Sequence, residues 1–128
     1  MILENLEDQI RNHMGDDFDI ELADSGEEGL DVVKQLREEG RELAVVVSDQ
    51  LMPHMKGEDF LIEVHKQLPH TMKVMLTGQA TLESVGRAIN EARLFRYLSK
   101  PWKENELITT VEQAARLHTE YSELVHFT

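Results

Sequence analysis

The chain contains no cysteine among its 128 residues. This absence excludes disulfide bonds, thiolate metal sites and cysteine nucleophiles, and it is typical of a reducing compartment. Long apolar runs are also missing, since residues 43–47 fall far short of the roughly 18 residues that a membrane-spanning helix requires. The N-terminus has no basic segment that leads into an apolar stretch. We therefore expect a cytoplasmic protein without a membrane anchor.

Positive charge is scarce. Lys and Arg together number 13 against 25 for Asp and Glu, and the formal net charge is -12. An acidic surface of this kind repels nucleic acid phosphates and anionic lipids, so neither direct nucleic acid binding nor membrane binding is expected. The length is that of one ordinary domain.

Helical and strand patterns alternate along the chain. Apolar residues at helical spacing predict helices over residues 2–14, 26–39, 57–68 and 82–92 and from residue 104 onward. Short apolar or alternating segments predict strands over residues 18–22, 43–49, 72–77 and 94–98. Alternation of this kind favours βαβ units, hence a parallel sheet with helices on its faces.

Three polar residues lie at the ends of predicted strands. Asp49, Thr77 and Lys100 each follow an apolar segment, and ligands gather at this edge of parallel sheets. A carboxylate there could accept a phosphoryl group, a hydroxyl could bind its oxygens and an ammonium could neutralise it. Taken singly, each residue has an ordinary explanation as a turn former, cap or solvated loop residue. The combination favours phosphoryl chemistry.

The segments around these residues resemble the receiver domains of two-component response regulators. Residues 45–53, with Gly57 eight residues after Asp49, are similar to the family's phosphorylation loop. Residues 74–78 are similar to its switch-threonine strand, 97–102 to its lysine-proline strand end, and 23–30 to the entry into its second helix. The resemblance covers nearly the whole chain and implies a doubly wound, flavodoxin-like α/β fold.

The resemblance also implies residue roles. Asp49 would accept a phosphoryl group from a phosphohistidine of a sensor kinase. Thr77 would move to bind that group, Tyr97 would turn inward into the vacated space, and Lys100 would pair with the phosphoryl oxygens. The Lys100–Pro101 peptide bond would be cis.

Two further positions, Leu51 and Gln79, correspond to those that tune phosphoryl lifetime in the family. The resemblance also implies that the Asp49 carboxylate and the Leu51 backbone carbonyl bind Mg²⁺. Receivers begin, however, with a strand that ends in an acidic pair for this metal, whereas the printed sequence begins at the helix after it. We therefore expect the first strand and two metal ligands to be absent from the chain as given, and Mg²⁺ binding to be weak or absent.

In the family the missing strand separates the strands predicted here at residues 18–22 and 43–49. Without it, both strand edges would face a gap, at a cost of about 1–3 kcal/mol for each unpaired buried backbone group. We expect an upstream segment to fill this gap. A strand lent by a second copy, such as residues 124–127, is the alternative.

The last predicted helix is long. Leu107, Val111, Ala114, His118, Tyr121 and Val125 alternate steps of four and three, as in the seam of a coiled coil. The simpler explanation is that its first half packs on the sheet and that only the part after about Arg116 is free for a partner. We divide the chain into a receiver domain over residues 1–117 and a helix end over 118–128, a possible connector to an output module after Thr128 or a homodimer contact. The other histidines lack metal-binding spacing and are expected at the surface.

Three hypotheses remain open. The first is a phosphorylation-controlled switch that catalyses only its own phosphoryl transfer and is otherwise not an enzyme. The second is a degenerate receiver that serves only for docking or dimerisation. The third is a phosphatase with an aspartate nucleophile, but such enzymes carry a second Asp two residues on, where this chain has Leu51.

Overall fold

The computed structural model describes residues 2–14, 18–19, 21, 23, 25–78 and 82–127, without the side chains of residues 2–5, 82 and 123–127. Within these ranges the helices are α1 (Ile2–Met14), α2 (Gly26–Glu38), α3 (Gly57–Gln67), α4 (Leu82–Ala92) and α5 (Glu104–Phe127). The strands are β1 (Val45–Asp49), β2 (Met72–Thr77) and β3 (Arg96–Ser99). None of the helices in this part of the chain combines the length and apolar character needed to cross a bilayer.

The strands form a parallel sheet in the order β1-β2-β3. Val45 pairs with Met72 and Asp49 with Leu76 along one edge of β2, and Thr77 pairs with Ser99 along the other. Because the strands run in the same direction, their carboxyl ends meet at one edge of the sheet. The predicted α/β fold with a parallel sheet is confirmed.

Two apolar cores cover the two faces of the sheet. Met75 and Val46 pack with residues of α2, α3 and α4, whereas Leu76 and Val47 pack with residues of α1 and α5. Successive residues of a strand point to opposite faces, so a sheet with helices on both sides needs apolar residues at both parities. This arrangement explains the unbroken apolar runs in the sequence.

Most predicted boundaries agree with the structure. Ser25 caps α2 by accepting a hydrogen bond from the Glu28 amide at 3.1 Å, and Gly40, just beyond the helix, has a φ of 69°. The last strand, however, begins at Arg96 rather than at residue 94. The Leu94 amide donates to the Ala88 carbonyl at 3.1 Å, so Leu94 belongs to the turn that ends α4.

The strand predicted over residues 18–22 was wrong at the residues that can be described. Residues 18, 19 and 21 lie outside any strand, and Phe18 is exposed; residues 20 and 22 lie outside the described ranges. Alternating side chains specify which face of a strand would be buried, but a strand also needs a neighbour for its backbone hydrogen bonds. Among the described residues, β1 has a neighbouring strand only on the β2 side.

Helix α5 packs on the sheet over more of its length than predicted. Leu107, Val111 and Ala114 are buried, and His118 is only 8% exposed. The next seam residue, Tyr121, lies against the His70 ring with 4.3 Å between centroids. The seam residues as far as His118 therefore pack against other parts of this chain, which extends beyond the limit at Arg116 that the sequence predicted. The division at residue 117 stays a prediction, and α5 crosses it without a break.

Lys73 is a fully buried lysine in β2. It is 1% exposed, its Nζ lies 2.8 Å from His65 Nδ1, and it donates to the Pro69 carbonyl at 3.4 Å. Burial, and secondarily the charge of Arg93, lowers the pKa of Lys73 to about 8. Burial is also the main cause that lowers the pKa of His65, followed by the charge of Lys73. His65 is half-buried and thus less exposed than the surface location expected from the sequence.

We expect Lys73→Met to stabilise the protein. The pKa of Lys73 is about 8 in the folded protein and 10.5 as the ordinary value. The unfolded chain therefore binds more protons between these values, and the wild-type free energy of unfolding should rise with pH across that window. Below this pH window the lysine is charged and the full cost of burying its charge is present. Lys73→Met should therefore raise the free energy of unfolding by up to about 3 kcal/mol at pH 7, and it should flatten the rise of that free energy with pH. Urea unfolding at several pH values measures both effects.

Lys66→Met is the matched control for this test. Lys66 lies in α3 with an exposed side chain, so its replacement should leave the pH dependence between about 8 and 10.5 unchanged. A loss of stability at pH 7 for Lys73→Met would contradict the assigned burial cost.

Candidate functional site

The three strand ends meet as the sequence predicted. Asp49 is the last residue of β1, Thr77 is the last of β2, and Lys100 directly follows β3. The Lys100 amide donates to the Thr77 carbonyl at 2.8 Å, which extends the pairing of β2 and β3 by one residue. The parallel register therefore determines the position of Lys100 relative to the other two residues.

Asp49 and Lys100 form a direct ion pair. Lys100 Nζ lies 2.5 Å from Asp49 Oδ2, and the two side chains are 25% and 26% exposed. The other carboxylate oxygen, Asp49 Oδ1, accepts a hydrogen bond from the Leu51 amide at 3.1 Å. The carboxylate is thus oriented by two donors and remains accessible to solvent. An ammonium beside a carboxylate can neutralise the charge of an incoming anion.

The Thr77 hydroxyl is engaged elsewhere. Thr77 is 1% exposed, and its Oγ1 donates to the side-chain oxygen of Gln50. The Gln50 amide nitrogen in turn donates to Ser84 Oγ at 2.7 Å. Neither Gln50 nor Ser84 was predicted from the sequence as a site residue. The available signal was a glutamine directly after Asp49, at the end of a buried strand, where a polar side chain needs partners.

The loop after β1 is held on both sides. The Gln50 amide donates to the Leu76 carbonyl at 2.8 Å, and the Gly57 amide donates to the Gln50 carbonyl at 2.8 Å. A Cβ atom at Gly57 would lie 2.2 Å from the Asp49 carbonyl oxygen and 2.7 Å from Gln50 Cα. Only glycine therefore permits the start of α3 to approach the loop this closely.

The remaining predicted site residues have different surroundings. Leu51 is strongly exposed, and Tyr97 is 45% exposed on β3. Gln79 lies outside the described residues. The Lys100–Pro101 peptide bond is cis, as the resemblance implied. Trp102, beyond it, donates to Gln9 Oε1 of α1 at 2.9 Å.

A magnesium site is not completed by the described side chains. Within the described ranges no group of three or more His, Cys, Asp or Glu residues is placed to hold a metal ion. Asp49 and the Leu51 carbonyl would supply two oxygens, whereas Mg²⁺ requires near-octahedral oxygen coordination. Lys100 also occupies one Asp49 oxygen. These residues do not by themselves fit the metal that the resemblance implies.

The family described as response regulator receiver domain matches residues 1–112. The hydrogenase transcriptional regulatory protein HoxA of Cupriavidus necator is 31% identical over 84% of this chain. Sensor kinase CckA of Brucella abortus is 32% identical over 75% of it. The chain spans only 21% of HoxA and 10% of CckA.

A solved structure shows the same similarity. The signal receiver domain of an HD domain-containing protein from Pseudomonas fluorescens superposes with a TM-score of 0.83 at 30% identity. The match covers 95% of this chain and 84% of that one. The similarity therefore extends over the sheet, its helices and the edge that holds Asp49.

We expect Gly57→Ala to destabilise the protein by about 1–3 kcal/mol, since its Cβ would overlap backbone atoms that cannot rotate away. Gly86→Ala in α4 is the matched control. A Cβ there meets nothing within 4 Å, and the change should stabilise the helix by about 0.5–1 kcal/mol. Thermal or urea unfolding measures both. Equal effects of the two substitutions would show that the close approach at Gly57 does not constrain the loop.

Proposed function

Because this chain belongs to the response regulator receiver domain family, we propose that it is a phosphorylation-controlled signalling switch in which Asp49 is the phosphoryl acceptor. The observation that carries the proposal is the Asp49–Lys100 pair at the carboxyl edge of the sheet. A phosphoryl donor can approach this edge because both side chains are partly exposed.

The geometry of the Asp49–Lys100 pair supports the following transfer. An Asp49 carboxylate oxygen attacks the phosphorus of a phosphohistidine, and an O–P bond forms as the N–P bond breaks. The electron pair of the broken bond goes to the imidazole nitrogen. Because the other ring nitrogen of the phosphohistidine already holds a proton, the donor is left as neutral histidine. Lys100, which contacts Asp49 Oδ2 before the transfer, neutralises the added negative charge. The Leu51 amide holds the other carboxylate oxygen.

The proposed switch requires Thr77 to change partners. Its hydroxyl donates to Gln50 in this structure, so it must leave Gln50 to donate to a phosphoryl oxygen. A phosphoryl group that binds the rearranged state better shifts the population toward that state. The space vacated by Thr77 then admits the exposed Tyr97 ring, which changes the surface formed by α4, β3 and α5.

The partners are proposed from the similar proteins. HoxA is named as a transcriptional regulatory protein and CckA as a sensor kinase, so similar receiver sequences occur in proteins of both kinds. We propose a cytoplasmic sensor histidine kinase as donor and an output module after Thr128, or a second copy, as recipient. We further propose that Leu51 and Gln79 influence phosphoryl lifetime. The side chain of Leu51 has no polar group that could orient an attacking water.

A second function is favoured by one specific observation. The incomplete metal coordination among the described residues suits a receiver that docks or dimerises without accepting phosphoryl. The phosphorylation test below separates the two functions, since a docking module would show no adduct under any condition.

Acetyl phosphate should label wild-type protein at Asp49, and Asp49→Asn should reduce the adduct at least tenfold because an amide oxygen is a poor nucleophile. Asp59→Asn is the matched control, since this side chain lies on α3 and pairs with Arg87 at 3.0 Å. Intact mass and peptide mapping, with and without Mg²⁺, locate the adduct. Full labelling of Asp49→Asn would refute Asp49 as acceptor, and an unlabelled wild type would favour the docking function.

Thr77→Ala should leave labelling of Asp49 within a few-fold of wild type but abolish the response of Tyr97 to it. The substitution removes the hydroxyl that links the phosphoryl group to the vacated space. The chain has two tyrosines, so fluorotyrosine NMR reports Tyr97, with Tyr121 as an internal reference. An intact phosphorylation-dependent shift at Tyr97 in the variant would contradict the coupling.

A further inference from the structure

Gln50 joins two parts of the molecule that lie far apart in sequence. Its side chain accepts the Thr77 hydroxyl hydrogen bond and donates to Ser84 Oγ at 2.7 Å. Gln50 is 8% exposed, and both partners are buried. Ser84 lies in the first turn of α4. The amide group therefore bridges the end of β2 and the start of α4 in a place that solvent barely reaches.

Two hydrogen bonds hold the backbone of Gln50 in place. Its amide is bonded to the Leu76 carbonyl and its carbonyl to the Gly57 amide, both at 2.8 Å. Two backbone hydrogen bonds therefore anchor Gln50 directly beside Asp49.

We propose that Gln50 is a positioning residue that holds the Thr77 hydroxyl away from the phosphoryl position in the unmodified protein and transmits its release to α4 through Ser84. The inference rests on the proposed function. It adds a residue between the acceptor site and the helix, and thus a physical route by which α4 responds to the site.

The release of Thr77 from Gln50 is explained by the single hydrogen of the Thr77 hydroxyl. The hydroxyl has one hydrogen, so it cannot donate fully to Gln50 and to a phosphoryl oxygen at once. When it leaves, the buried Gln50 oxygen loses its donor, and a buried polar group without a partner is unfavourable. The amide must then rotate or shift to find another donor. Either movement changes the bond from its nitrogen to Ser84, which has a further partner of its own.

The test uses Gln50→Met and Ser84→Ala in the full chain. Methionine keeps a similar length but makes neither hydrogen bond, and alanine removes only the bond to α4. Gln35→Met is the control, because that glutamine is exposed and its side chain donates only locally, to Glu39 four residues on at the end of α2. Fluorotyrosine NMR reports Tyr97, and backbone amide shifts of Val85 and Gly86 report α4, each before and after labelling with acetyl phosphate.

In unmodified Gln50→Met, the population with Tyr97 turned inward should rise at least threefold, since Thr77 is no longer retained. In Ser84→Ala, Tyr97 should respond to labelling as in wild type, while the labelling-induced shifts of the α4 amides fall to less than half. A glutamine with only a structural role would lower stability and move neither of these readouts. The control variant should match wild type in both.

The outcomes distinguish the two proposals. Labelled proteins in which Gln50→Met and Ser84→Ala behave as wild type would overturn the role of Gln50 and leave the proposed function intact. A wild type that is not labelled would overturn the proposed function and this inference together. If Gln50→Met fails to fold, Ser84→Ala alone tests the inference. Labelling-induced shifts of the α4 amides as large as in wild type would then refute transmission through Ser84.

Discussion

The central strand β2 is the constraint on which the rest of the structure depends. It is paired along both edges, and all of its residues except Met72 are buried. Its register sets Asp49 opposite Leu76 and Ser99 opposite Thr77. A slip of one residue would exchange the faces of every side chain in the strand. The 2.5 Å contact between Asp49 and Lys100 therefore depends on two registers that meet in β2.

One face of β2 carries polar side chains at both ends. The side chains of Lys73 and Thr77 point to the same face of the sheet as Met75, which packs with α3 and α4. Lys73 meets His65 and Pro69 at the amino end, and Thr77 meets Gln50 at the carboxyl end. Burial has a different consequence at each end. At the amino end burial of the ammonium lowers the pKa of Lys73, whereas at the carboxyl end the Thr77 hydroxyl is linked to α4 through Gln50 and Ser84.

A short buried path connects the end of β2, beside the proposed phosphoryl site, with α4 through Thr77, Gln50 and Ser84. Rearrangement of packed interiors occurs between discrete arrangements rather than by continuous deformation. In the proposed switch the Thr77 hydroxyl has two alternative acceptors, the Gln50 oxygen and a phosphoryl oxygen, and its one hydrogen can be donated fully to only one of them. In this proposal the sheet stays unchanged while the side chains at its edge exchange partners.

The sequence by itself determined the helices, the parallel sheet and the common edge for Asp49, Thr77 and Lys100. These features follow from local periodicity and from the direction of parallel strands, which act over a few neighbouring residues. The strand expected at residues 18–22 shows the limit of periodicity, since alternation identifies a buried face but no neighbouring strand.

Only the tertiary structure decided how the polar groups are paired. Gln50 meets Thr77 across 27 positions and Ser84 across 34, and Lys73 finds His65 on another element. Nothing in local spacing selects these partners, because buried polar groups bond to whatever the packing brings within reach. The burial of His118 arises in the same way, from the length of α5 that the sheet and its loops can cover.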